Sequence, residues 1–246
     1  MNNTKDHASP MAEIIGPVAA AAIDRYAGSE PPKTEPVFTA EQIAASREAN
    51  LADRESAFLS VCPPLYQDTD PAMIPDQTSL ARVMAWRSVL DYPKRVNPRG
   101  LMLVGEPGSG KTRAAWLKIR VAMVKGGCRV KAFDGIGWGL AVSKHLGDPE
   151  TAEEWVDECC AAHILFIDDC FKARMTEAQE FAIFGVLDRR ASKKRPTIVT
   201  MNSSGAALAS RTAKAAGEGD RFDAIVRRLT EFSDVIQFKR PAATAK

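Results

Sequence analysis

A chain of 246 residues, 45% apolar and 26% charged, has room for one α/β domain with a proper core and a smaller appendage. A net charge of +2 excludes wholesale coating of nucleic acid, while leaving room for a local basic patch. The five cysteines, Cys62, Cys128, Cys159, Cys160 and Cys170, form no C-x-x-C pair and no disulfide framework, so reduced, packed thiols are expected.

The chain opens on polar residues. Ile14 to Ile23 is apolar, but Lys5 stands beside Asp6, Glu13 interrupts the start and Pro17 the middle. It reads as a short amphipathic segment, not an export signal. No apolar run approaches the ~18 residues of a membrane span, so a cytoplasmic protein is expected. After a proline-rich break at Glu30–Pro36, residues Thr39–Ser60 favour helix. Thr39 and Gln42 have capping-box spacing, and Ile43, Leu51, Phe58 and Leu59 are placed to share a face. Large apolar residues are too sparse here for a separate core. Residues 1–62 therefore read as a helical, partly disordered arm suited to docking on a partner, and residues 63–246 as the main domain.

Gln77–Tyr92 is predicted helical. Beyond Pro98 an alternating pattern begins: strands at Leu101–Val104, Cys128–Phe133, Ile164–Asp168, Thr197–Met201 and Asp234–Phe238. Helices are predicted at Lys111–Val124, Gly139–Leu146, Thr151–Ala161, Thr176–Ser192 and Asp223–Leu229. Short apolar strands alternating with helices predict an α/β fold, a parallel sheet covered on both faces.

The run Gly105-Glu106-Pro107-Gly108-Ser109-Gly110-Lys111-Thr112 fits G-x-x-x-x-G-K-[ST] between a strand and a helix. Glycines let the backbone turn its N–H groups inward around phosphates, and the helix beginning at Lys111 adds its positive end. ATP is the expected ligand. Lys111 is assigned to the β- and γ-phosphates and is expected to face solvent in the loop. The Thr112 hydroxyl is assigned to magnesium.

The strand Ile164–Asp168 ends in Asp168-Asp169, an arrangement costly to bury without a partner. Asp168 is assigned to magnesium through a coordinated water. Asp169 is assigned to the attacking water, or alternatively to capping the next turn. Asn202 follows the strand Thr197–Met201. It is placed to meet the γ-phosphate and the attacking water, or to serve only as a turn residue. Arg227 and Arg228 are candidates to reach a neighbouring subunit's γ-phosphate, against a solvated ion pair. Lys193-Lys194-Arg195 is a candidate for nucleic-acid phosphates, against a solvated turn. Tyr66 is placed near the base.

The phosphate loop, the Ile167-Asp168-Asp169 strand end, Leu187-Asp188-Arg189-Arg190, Lys194-Arg195-Pro196-Thr197 and Thr200-Met201-Asn202 together resemble one family. It is the DnaC-type bacterial helicase loaders, a branch of the AAA+ ATPases that includes the IstB-like helpers of some transposons. Arg228-Leu229 with Val235-Ile236 resembles that family's finger helix and last strand. Cys62-Pro63-Pro64-Leu65-Tyr66 resembles its lead-in. The resemblance spans Cys62 to Phe238 and leaves the arm uncovered. It implies a five-stranded parallel core without a separate helical lid and ATP bound between subunits of a homo-oligomer. It also implies a sensor role for Asn202 and a finger role for Arg228, with Arg227 as the alternative. Two features depart from the family: Lys239-Arg240-Pro241 gives no convincing second sensing arginine, and the arm has no zinc-holding cysteine cluster. The function implied is ATP-driven loading of a replicative helicase on single-stranded or duplex DNA. A transposition helper that recruits a transposase is the alternative. A small-molecule kinase would need an arginine-bearing lid, which Ala206–Gly219 does not resemble.

Overall fold

The computed structural model of the chain describes residues 39–86, 99–145, 149–170, 176–202 and 221–240. Five strands make one sheet: β1 (Gly100–Gly105), β2 (Val130–Asp134), β3 (Ile164–Asp168), β4 (Thr197–Met201) and β5 (Ser233–Phe238). Their order is β2-β3-β4-β1-β5 and every pairing is parallel. Parallel neighbours require crossovers, and helices supply them. Ahead of the sheet come α1 (Ala40–Val61), the one-turn α2 (Pro64–Gln67), a 3-10 turn at Pro71–Met73 and α3 (Gln77–Ala85). Helix α4 (Lys111–Val124) follows β1, and α5 (Gly135–His145) and α6 (Pro149–Ala161) follow β2. Helix α7 (Glu177–Ser192) precedes β4, and α8 (Arg221–Phe232) precedes β5. Among the described residues no helical lid follows β5, and no helix is long and apolar enough to cross a membrane.

Alternation along the strands divides the core into two layers. Leu101, Leu103, Ile164, Phe166 and Ile198 face α4 and pack with Trp116 and Ile119. Met102, Val104, Leu165, Ile167, Val199 and Met201 face the other side, against Trp138, Trp155, Ile183 and Val226. With both faces covered, the strands read as continuous apolar runs. The same alternation puts Asp168 and Thr200, next after Phe166 and Ile198, on the α4 side. That is the side on which the phosphate loop enters its helix.

Trp116 anchors the α4 layer, edge-on to Phe166 at 5.1 Å and to Phe58 at 6.3 Å between ring centroids. Phe58 is 1% exposed, a burial worth about 1.5–3 kcal/mol. It ties the second half of α1 to the core. The compact unit accordingly begins at Glu48, with Met1–Arg47 a separate unit, ahead of the 62/63 boundary expected from the sparse apolar content. Of the four apolar residues expected to share a face, only Phe58 is buried; Ile43, Leu51 and Leu59 are exposed. The capping box at the start of α1 is present. Thr39 N–H donates to Gln42 Oε1 at 2.9 Å, and Gln42 N–H to Thr39 Oγ1 at 3.2 Å. Thr176 and Gln179 repeat the device at α7.

All five cysteines are buried. Burial pushes the Cys62 thiol up to about 11 and Cys159 up to about 12, which makes them packing groups and poor nucleophiles. Arg190 is wholly buried. Its guanidinium donates to the carbonyls of Cys159, Ala162 and Pro196 at 2.6, 3.0 and 2.6 Å and to Thr197 Oγ1 at 3.1 Å. It fastens the end of α6 to the start of β4. The Ile14–Ile23 stretch, the proline-rich break and the far end of the Gln77–Tyr92 helix lie outside the described residues.

Candidate nucleotide-binding site

The loop from Gly105 to Thr112 leaves β1 and enters α4. Gly110 caps α4 with a left-handed backbone, φ 94° and ψ 5°. A β-carbon there would stand 3.0 Å from Ile74 Cγ2, so both conformation and space require glycine. Gly108, at φ 77°, borders open space: a β-carbon on it would meet nothing within 4 Å. The positive end of α4 opens onto the same region, which is a fit for phosphate oxygens.

Lys111 corrects an expectation. It does not face solvent but is 4% exposed. Its Nζ donates to the Gly105 and Glu106 carbonyls at 2.9 and 2.7 Å and to Ser109 Oγ at 3.4 Å. The loop curls its own acceptors around the ammonium, which satisfies it without water. Burial pulls its pKa below the ordinary lysine value, against the charges of Asp169 and Asp168.

The acidic strand end lies across β4 from the loop. Thr112 Oγ1 donates to Asp168 Oδ1 at 2.8 Å, and Thr200 Oγ1 donates to the same oxygen at 2.6 Å. Burial raises the Asp168 pKa above the usual carboxylate value, opposed by the hydrogen bonds from Thr200 and Thr112. Asp169 has φ 47°, a left-handed conformation that Asp tolerates better than most residues. Its N–H donates to Thr200 Oγ1 at 2.7 Å, and its Oδ1 accepts from Asn202 Nδ2 at 3.1 Å.

Pro107, Gly108, Gly110, Lys111, Thr112, Asp169 and Asn202 line a cleft of about 420 Å³. Tyr66, Met73 and Pro75 form its apolar wall. Arg113, also lining the cleft, stacks its guanidinium over the Tyr66 ring at 5.7 Å and donates to the Leu65 carbonyl and Thr69 Oγ1. This ties the α2 segment to the helix of the phosphate loop.

Arg228 is elsewhere. On α8 it pairs with Asp188, lies 3.6 Å from Glu231 and stacks on Phe232 at 5.2 Å. With Arg99, Lys194 and Arg195 it lines a groove of about 60 Å³ by the strand starts Gly100, Thr197 and Ser233. That is the end of the sheet opposite the phosphate loop. Arg227 is exposed. The fold thus brings Thr112, Asp168, Asp169 and Asn202 together and leaves Arg228 apart. Thr200 and Arg113 are the contributors that motif reading passes over. The one signal for Thr200 is a polar residue in step with Asn202 beyond the apolar pair Ile198-Val199.

The donor set fits a hard divalent cation. Thr112 and Asp168 offer oxygen within one hydrogen-bonded pair. Among the described residues no group of three His, Cys, Asp or Glu forms a cage. Magnesium needs none when one or two protein oxygens and phosphates hold it.

No family model matches the chain, and no curated protein matches it. Solved structures do. The crystal structure of the DnaC helicase loader aligns with a TM-score of 0.58 at 23% identity, over 72% of this chain and 100% of that one. This chain has the fold of the DnaC-type AAA+ proteins. DnaI aligns at a TM-score of 0.53 and 17% identity, over 76% of this chain and 94% of that one. The replication initiator DnaA, bound to AMPPCP and single-stranded DNA, aligns at 0.53 and 17%, over 72% of this chain and 51% of that one. The five-stranded parallel α/β core that the resemblance implies is borne out in this fold.

Proposed function

We propose that the protein is an AAA+ ATPase that binds ATP with magnesium and acts in DNA replication as a loader of a replicative helicase. The observation that carries the ATPase reading is one continuous hydrogen-bonded array. Thr112, Asp168, Thr200, Asp169 and Asn202 are joined in sequence beside the phosphate loop. The loader reading is supported by the shared fold with DnaC and DnaI.

In this reading the loop N–H groups and Lys111 hold the β- and γ-phosphates, Lys111 exchanging its loop carbonyls for phosphate oxygens. Thr112, and Asp168 through a coordinated water, would hold magnesium, whose charge would offset that on the transferred phosphoryl group. Asp169 accepts a proton from the attacking water while Asn202 orients it. The wall of Tyr66, Met73 and Pro75 takes the base. Arg228, remote from the protein's own cleft, serves a neighbouring subunit's γ-phosphate in a homo-oligomer. Arg228→Ala should then bind ATP but hydrolyse it poorly. Mixing it with Lys111→Ala should restore part of the activity, because one interface combines an intact loop with an intact finger. Failure to recover at any mixing ratio, with assembly verified by light scattering, removes the trans role.

The arm is the candidate for helicase contact. A truncation that spares the core must start at Glu48, because Phe58 and Cys62 are buried in it. The full chain should capture the host replicative helicase in a pull-down. The chain from Glu48 should bind ATP but capture little. Equal capture by both forms sinks the role of the arm. Capture of a transposase in place of the helicase moves the protein to the transposition helpers.

A further inference from the structure

The geometry points to Thr200 as the positioning residue that sets the two carboxylates of the cleft against each other, holding Asp168 for the metal and Asp169 for the attacking water. The inference rests on the reading of the cleft as a site for ATP with magnesium.

Thr200 is wholly buried. At such a place on a strand valine has the same shape and no polar group to satisfy. The hydroxyl is nevertheless engaged as both donor and acceptor. It gives its hydrogen to Asp168 Oδ1 at 2.6 Å and takes the Asp169 N–H at 2.7 Å. The backbone of the same residue takes a third group, its carbonyl accepting the Cys170 N–H at 2.9 Å. Three consecutive residues at the end of β3 are therefore gripped by one residue of β4.

Each contact has a geometric consequence. Asp168 Oδ1 receives hydroxyl hydrogens from both Thr112 and Thr200, which fixes the plane of its carboxylate. The Asp169 N–H is held while its backbone is at φ 47°, a conformation that needs support from its surroundings. That turn directs the Asp169 side chain to Asn202, which lies in step with Thr200 just past the end of β4. Thr200 also stands opposite Leu103 of β1, close to where the phosphate loop departs. One residue, paired through its backbone with the loop strand, thus joins the metal-side carboxylate to the backbone that carries the water-side carboxylate. Partners of this kind, outside the ion's own ligand set, orient the groups that hold a metal without touching it.

The test uses the full chain with Thr200→Val, Thr200→Ala and Thr200→Ser. Mn2+ binding to the protein–AMPPCP complex is followed by EPR titration. Nucleotide affinity in EDTA, the Mg2+ concentration for half-maximal ATP turnover, and thermal melting are measured beside it. The two hydroxyl-free variants should bind Mn2+ about tenfold or more weakly, with turnover reduced alike. Metal-free nucleotide affinity should stay at the wild-type level, and serine should restore metal binding and turnover. Wild-type Mn2+ affinity in whichever hydroxyl-free variant folds overturns the proposal, even if its melting temperature drops. So does a folded serine variant no better than valine. If the wild type binds Mn2+ with AMPPCP yet does not hydrolyse ATP, the hydrolysis reading fails while the metal titration still decides Thr200. If it binds no Mn2+ with the nucleotide, the reading of the cleft fails and this proposal falls with it.

Discussion

Lys111→Ala should lose ATP affinity by roughly 100-fold or more. Hydrogen bonds to charged groups contribute about 1.5–3 kcal/mol each, and two phosphate contacts at the low end come to ~3 kcal/mol, near two decades in Kd. The buried position of Lys111 complicates the simplest version of this experiment. Its ammonium satisfies the Gly105 and Glu106 carbonyls, so alanine removes an internal contact of the loop as well as the charge. Lys111→Met keeps most of the volume and separates the two effects. Both variants should keep a cooperative melt, because α4 remains anchored by Trp116 and Ile119. Both should fail to bind a fluorescent ATP analogue. A folded variant with wild-type affinity would remove the phosphate site from this loop.

The phosphate loop was legible because its chemistry is local. Glycine positions, a lysine and a hydroxyl at fixed spacing describe a loop whose shape depends on its own backbone. The strands were legible because both faces of the sheet are covered, so each strand is a short apolar run bounded by polar residues. The boundary of the N-terminal unit was less legible. It turns on Phe58, one aromatic in a polar helix, whose partner Trp116 lies far along the chain. The inward turn of Lys111 was not legible either, since it depends on carbonyl directions that follow from the loop's three-dimensional path. Thr200 and Arg113 were missed for a related reason. Threonine on a strand and arginine on a helix each satisfy local propensity, and only tertiary contact shows what they hold. Arg228 is a different case. Its residue type and helix invite a role at a neighbouring subunit's γ-phosphate, and a single chain displays only its own setting, at the other end of the sheet from the cleft and paired with Asp188.

Asp169→Asn should leave ATP binding near wild type and lower turnover by at least about tenfold, the cautious end of what losing a general base costs. The structure favours asparagine over alanine for this test. Asp169 sits at φ 47°, where asparagine is as tolerant as aspartate and alanine is strained. The side-chain oxygen that accepts from Asn202 is retained, and the backbone N–H still reaches Thr200. What changes is the charge, and with it the capacity to take a proton from water. Magnesium-dependent nucleotide affinity should survive, because Thr112 and Asp168 are untouched. The measurement is single-turnover hydrolysis at saturating ATP beside a binding titration on the same preparation. Reduced turnover with intact binding places Asp169 at the chemical step. Wild-type turnover assigns it instead to shaping the end of β3, where its left-handed backbone and its tie to Thr200 hold the strand against β4.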